Sequence, residues 1–250
     1  MSDNSLPRGR DGFRLRDQAP NRIEAFVDAA FAFAVTLLVI SVDAIPESRT
    51  QLVDALKGIP AFAVCFMMVA WFWYGHASHT RRYGLDDLPS ILLSLVLVFL
   101  VLVFVYPLKA MYASFFEFVS GGWLGSAFTI ESASDVRFVF IVFGVALGSM
   151  GAILALLTER AWQRRDALGL DPQERVSTRL YALSWWCVPV VSVVSIVMTV
   201  WIAPVAGQPW TQGIPGMAYA LLGAQAPLIA WYQRRLHARS VAHNTPQAED

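Results

Sequence analysis

The sequence predicts an all-α polytopic membrane protein with six transmembrane helices and both termini on the same side of the bilayer. Three observations carry this. Hydrophobic residues make up 56% of the 250-residue chain, and the mean hydropathy is +0.50, far from the values of a soluble domain. Six apolar runs, near 23–42, 59–79, 88–110, 136–157, 180–204 and 214–232, reach the roughly 20 residues a helix needs to cross a bilayer. The basic residues are also sorted by side. Fifteen of the 19 Lys and Arg residues fall in the N-terminal tail, the second and fourth loops and the C-terminal tail. That asymmetry places both termini in the cytoplasm, which requires an even number of spans. The expected organisation is a cytoplasmic tail over 1–21, a membrane domain over 22–232 and a second cytoplasmic tail over 233–250.

The first span reads RIEAFVDAAFAFAVTLLVISV. Asp28 lies inside it, although a carboxylate in the bilayer core costs roughly 2.5–3.5 kcal/mol unless it faces protein or water. On a helix of 100° per residue, Ala29, Phe33, Leu37 and Ile40 share one stripe with Thr36 at its edge, and Asp28 lies off that stripe. Ala29, Ala30, Ala32 and Ala34 keep one half of the helix slim, which permits close packing. ESRTQLVDALKG follows as a short amphipathic surface helix. In the second span, WFWYGHASH puts Trp73 and His76 at i, i+3, where His76 is placed to meet Asp28 at the same depth. The fourth span carries Gly144, Gly148 and Gly151 on one face, consistent with a tight helix crossing or simply with a glycine-rich membrane helix. ERAWQRRDALGLDPQERVSTR reads as a charged helical connector between the fourth and fifth spans.

Enzyme chemistry finds little support. There is no HExxH, phosphate-binding loop or nucleophile–base pair, and the four histidines, His76, His79, His237 and His243, are too few for a histidine-rich metal centre. Cys65 and Cys187 both sit in apolar runs and read as free packing thiols. No metal, cofactor or nucleic-acid partner is expected. No short apolar region with a small-residue cleavage site precedes the first span.

These residues resemble the transmembrane protein 175 family, the lysosomal-type potassium channels and their bacterial relatives. Arg22, Phe26, Asp28, Thr36, Leu37, Leu38 and Val39 match that family's first-helix signature. Trp73 and His76 are similar to its second-helix pattern, and VYPLKAM with Pro107 to the end of its third helix. The resemblance is specific over roughly 22–110. It implies a homotetramer of six-helix chains in which the first helices line a central pore without a selectivity-filter loop. Phe33, Leu37 and Ile40 would form the apolar constriction, with Thr36 near the ion path. Arg22, Phe26, Asp28, Trp73 and His76 would form a polar network packing the first helix on its neighbours. Asp43 would stand at the outer mouth. The sequence departs from the family pattern at Val27, which replaces a serine, at Phe33, which is bulkier than the usual aliphatic residue, and at Ser41, near where an acidic residue is usual.

The expected function is therefore a passive, leak-type, potassium-permeable cation channel in the inner (plasma) membrane. Its expected partners are K⁺ and other monovalent cations, lipid and further copies of itself. A secondary transporter or proton pathway using Asp28 and His76 is the alternative, although the first three spans lack the central breaks usual in transporters. A non-transporting scaffold is a third reading.

Overall fold

A computed structural model describes residues 7–9, 13–16, 21–40, 46–126, 128, 130–201 and 213–223. Its elements are α1 (Arg22–Ile40), α2 (Arg49–Lys57), α3 (Ile59–Tyr83), α4 (Leu88–Val119), α5 (Ala133–Gln163), α6 (Pro172–Trp201) and a short α7 (Ile214–Met217). Among the described residues, four helices are long and apolar enough to cross a membrane: α3, α4, α5 and α6. α1 has 19 residues and contains Arg22, Glu24 and Asp28. Most of the expected sixth span lies outside the described residues, which show an apolar helical stretch at Ile214–Gly223. The chain is a multi-pass membrane protein.

Local signals set the helix ends. Ser48 caps α2, its hydroxyl accepting from the Gln51 amide at 3.2 Å. The α3 C-terminus closes on Gly84 at φ 55°, a left-handed backbone that costs glycine little. Ser132 and Asp135 form a reciprocal capping box on α5. Asp171 and Glu174 do the same on α6: Asp171 Oδ1 accepts from the Glu174 amide at 2.8 Å, and Glu174 Oε2 from the Asp171 amide at 3.1 Å. The expected helical connector between the fourth and fifth spans is not an element of its own. α5 continues through Gln163, a turn with Gly169 at φ 58° follows, and α6 starts at Pro172. The charged residues there have helical periodicity because they are the ends of two long helices.

The core runs through all five long helices. Val27, Phe31, Ala34 and Leu38 of α1 belong to one buried cluster with Val69 and Phe72 of α3, Leu97 and Val101 of α4, Leu147 and Leu154 of α5 and Val188 of α6, and α1 itself packs on α3 and α4. α5 and α6 form the tightest pair. A Cβ at Gly151 would lie 2.5 Å from Val188 Cγ1, and one at Gly148 would lie 3.0 Å from Ser192 Cβ. The glycine face is thus a close crossing, which decides between the two sequence readings. α2 buries none of its residues, and its Leu52, Val53 and Leu56 are exposed, in keeping with an amphipathic surface helix. Cys65 is a buried free thiol and Cys187 an exposed one.

Candidate functional site

The candidate site is α1 and the groups that hold it. Its apolar i, i+4, i+7, i+11 set, Val27, Phe31, Ala34 and Leu38, packs into the core. The opposite side is left bare by the described residues. Arg22, Phe26, Ala29, Ala32, Phe33, Thr36 and Val39 are exposed there. Phe33 keeps 55% of its surface. The Thr36 hydroxyl donates to the Phe33 carbonyl at 2.7 Å, so its polar group is turned back onto its own helix.

The sequence stripe and the bare face differ in rotation. Ala29, Phe33 and Thr36 lie on the bare face, whereas Leu37 is partly buried against the core. Leu37 adjoins Leu38 in the chain and so borders the packed side, while Val39, not singled out by the pattern, is 53% exposed. The side chain of Ile40 and all of Asp43 lie outside the described residues.

Asp28 projects roughly 140° around the helix from Phe33, towards α3. There Trp73 Nε1 donates to Asp28 Oδ1 at 2.7 Å. His76 turns to α4 instead, and its Nε2 shares a 2.9 Å hydrogen bond with Ser94 Oγ. The expected Asp28–His76 pair is therefore replaced by two contacts. Three residues along a helix turn a side chain by about 60°, enough to send Trp73 and His76 to different neighbours. Arg22 and Phe26, expected in the same network, are exposed on the bare side of α1. His79 is buried against the Tyr83 ring, 4.9 Å between centroids, and neither of its ring nitrogens has a hydrogen-bond partner among the described residues.

Both ends of α1 are tied down, by residues the sequence reading did not assign. At its start, Asn21 Oδ1 accepts from the Glu24 amide at 2.8 Å, an N-cap. The same side chain donates to Asp86 Oδ1 at 2.6 Å, fixing the helix start to the α3–α4 turn. At its other end, Lys109 Nζ of α4 donates to the Leu38 carbonyl at 2.9 Å, where a cation meets the negative end of the helix dipole. Lys109 was visible in the sequence as a lysine inside an apolar span, the signal that could have marked it.

Beneath α1, Asp87 accepts from Ser90 Oγ at 2.5 Å and pairs with Arg160 of α5, with Arg164 3.7 Å away. Burial would raise the Asp87 carboxyl, but the hydrogen bonds from Ser90 and Arg160 outweigh it and lower it. Glu174 is 1% exposed. Its carboxylate accepts from the Arg14 amide at 2.8 Å, from Arg14 Nη2 at 2.8 Å and from Arg16 Nη2 at 2.9 Å. Burial again works to raise this carboxyl, and the Arg14 and Arg16 hydrogen bonds override it, holding it down at about 2.

This layout has counterparts among known proteins. Residues 22–107 match the family model described as the endosomal/lysosomal potassium channel TMEM175. A protein of Marivirga tractuosa named "Potassium channel" is 32% identical over 198 residues, 76% of this chain and 79% of that protein. The chain belongs to the TMEM175 family. A crystal structure of the potassium channel MtTMEM175, a threonine-to-alanine variant bound to a nanobody–MBP fusion protein, superposes with a TM-score of 0.74. The two are 26% identical, and the match covers 93% of this chain and 100% of the other. The TMEM175 match takes in α1, α2, α3 and the first part of α4. These are the segments that present the bare face and the Trp73–Asp28 bond, while Asn21 and Lys109, which tie the helix ends, lie just outside the match.

Proposed function

We propose that this protein is a potassium-permeable, leak-type cation channel that assembles as a homotetramer, with the bare face of α1 lining the pore. The supporting observation is that α1 is fixed at both ends and along one side, yet presents Ala29, Phe33 and Thr36 outward, left exposed by the described residues. The names of its TMEM175 relatives supply the ion. Phe33, with Leu37 and Ile40, would narrow the path, and Thr36 would stand beside it. An apolar narrowing of this kind stops ions by shedding water, without a filter loop of carbonyls. Asp28 is then a positioning group beside the pore. Trp73 holds it there, with His76 bonded to Ser94 one turn on and Arg22 and Phe26 on the bare side of the helix, and Asp43 would form an acidic ring at the outer mouth.

The proposed topology has both termini in the cytoplasm, with the membrane domain spanning 22–232 between tails over 1–21 and 233–250, in the inner (plasma) membrane. The partners are K⁺ and other monovalent cations, lipid and three further copies of the chain. A relay through Asp28 and His76 is the weaker reading, because Asp28 bonds Trp73 and His76 bonds Ser94, and no hydrogen bond joins the two among the described residues. The test is K⁺ flux from liposomes holding purified protein under a K⁺ gradient alone. Flux that saturates and requires a counter-ion supports a transporter, and no flux supports a scaffold.

A further inference from the structure

Residues 13–16 sit only a few positions before α1, in a stretch whose composition suggests a solvated, Arg-rich tail. Instead they are folded into the base of the bundle. Phe13 is 1% exposed and packs with Tyr83 of α3, Ala161 at the end of α5 and Leu170 of the α5–α6 turn. Its ring meets Tyr83 edge-on at 6.0 Å, and the Arg82 guanidinium lies 4.9 Å from its centroid. The Arg16 amide donates to the Arg81 carbonyl at 3.2 Å, and Arg16 Nη1 to the Arg82 carbonyl at 3.1 Å. Arg14 Nη2 reaches the Gly169 carbonyl at 2.5 Å. Glu174 gathers both arginines from the first turn of α6.

α3 and, far from it in sequence, the α5–α6 turn with the start of α6 are thus joined through one short piece of chain, which four residues separate from Asn21 at the start of α1. A carboxylate buried to this degree is costly without partners. Among the described residues, every bond that satisfies it, apart from the capping bond of α6 itself, comes from the N-terminal segment. The segment and Glu174 therefore stabilise each other's placement.

We propose that residues 13–16 form a strap that sets the position of α1, with Glu174 the positioning residue that holds the strap to α6. This rests on the reading of α1 as the pore-lining helix, because only then does the placement of α1 govern conduction. The strap gives the second half of the bundle a mechanical hold on the base of that helix. α6 supplies no residue of the bare face of α1, and the strap adds a route, beside the packing of α5 on α3 and α4, by which a shift at the α5–α6 turn reaches α1.

The test uses the full-length protein in liposomes, as wild type, Glu174→Gln and Phe13→Ala. The glutamine keeps the size of the side chain but removes its charge and sets an amide N–H against two guanidinium groups. Phe13→Ala empties the socket without touching the ion pairs. Hydrogen exchange is followed by mass spectrometry over 21–28 of α1 and over 60–75 of α3, K⁺ flux is driven by a gradient, and assembly is followed by light scattering. Both variants are expected to speed exchange in 21–28 at least fivefold, leave 60–75 within twofold, and change the initial flux rate threefold or more in intact oligomers. Variants whose exchange in 21–28 and flux both stay within twofold of wild type overturn the proposal. Equal acceleration of the two segments also overturns it, since the strap would then be general packing. Should either variant fail to assemble, the other and a chain lacking residues 1–16 are scored by the same criteria. If wild type carries no K⁺ flux, the channel reading fails, and the exchange pattern alone decides whether the strap positions α1.

Discussion

Trp73 Nε1 donates to Asp28 Oδ1 at 2.7 Å, and this one bond explains how a membrane helix tolerates a carboxylate. It fixes α1 against α3 and turns Asp28 away from the bare face. Removing one partner strands the other in a medium with few replacements, at a cost on the order of 1–3 kcal/mol. Trp73→Phe and Asp28→Ala should therefore both lower the thermal midpoint and reduce the oligomer seen by light scattering. Ion preference should change little in whatever assembles. A fully assembled Asp28→Ala protein with an altered K⁺-to-Na⁺ ratio would show that Asp28 meets the ion directly.

What the sequence made legible follows from distance along the chain. The Asp28 anomaly, the slim alanine-rich half of α1 and the Trp73–His76 spacing are local patterns, so the composition of α1 and its attachment to α3 were readable. The partner choice was not, because Trp73 and His76 differ by one short rotation that only the packed helices settle. The strap was hidden for a different reason. Arg14 and Arg16 serve the positive-inside pattern equally well as a free tail, and their acceptor Glu174 lies 160 and 158 positions away. Phe13, an aromatic residue in a polar stretch, was the one available hint.

The close crossing of α5 and α6 yields a packing test. A methyl group at residue 151 would sit 2.5 Å from Val188 Cγ1 and 2.6 Å from Val188 Cβ, inside any real contact distance. Gly151→Ala must push the helices apart, and overpacking of this kind costs typically about 1–3 kcal/mol. The thermal midpoint in detergent should fall. Gly151→Ala combined with Val188→Ala should recover part of the loss, since the second change removes Val188 Cγ1 but keeps its Cβ. Failure of that rescue would place the strain elsewhere.

Glu174 predicts a specific acid sensitivity. Its carboxyl is lowered from 4.5 to about 2, so the folded state binds its proton less readily than the unfolded chain does. The stabilisation is complete above the unfolded value and is lost as pH falls from about 4.5 to about 2. A depression of this size corresponds to roughly 3 kcal/mol. The difference in stability between wild type and Glu174→Gln, measured by thermal or denaturant unfolding, should be constant from pH 8 to 5 and shrink below 4.5. A difference that persists at pH 2 would mean that Glu174 acts through its shape and not its charge.

At the proposed outer mouth, four copies of Asp43 would concentrate cations through surface charge, which salt screens over about 10 Å at 0.1 M. Asp43→Asn should lower single-channel conductance at low ionic strength, with little effect at 1 M salt. A reduction of equal size at both salt concentrations would place Asp43 in the conduction path itself.

Phe33 gives the sharpest test of the pore. Were it a core residue, truncation to alanine would leave a cavity costing roughly 3–5 kcal/mol. In this chain it is 55% exposed, so the loss of intrachain packing should be far smaller, and Phe33→Ala is expected to keep a thermal midpoint close to that of the wild-type chain. Four phenyl rings around one axis would make a dry collar, and removing them widens and wets it. K⁺ flux through intact Phe33→Ala oligomers should rise severalfold at rest, and Phe33→Leu should fall between the two. Flux that is unchanged or reduced, in oligomers of normal size and stability, would move the constriction off Phe33 and onto another part of the α1 face.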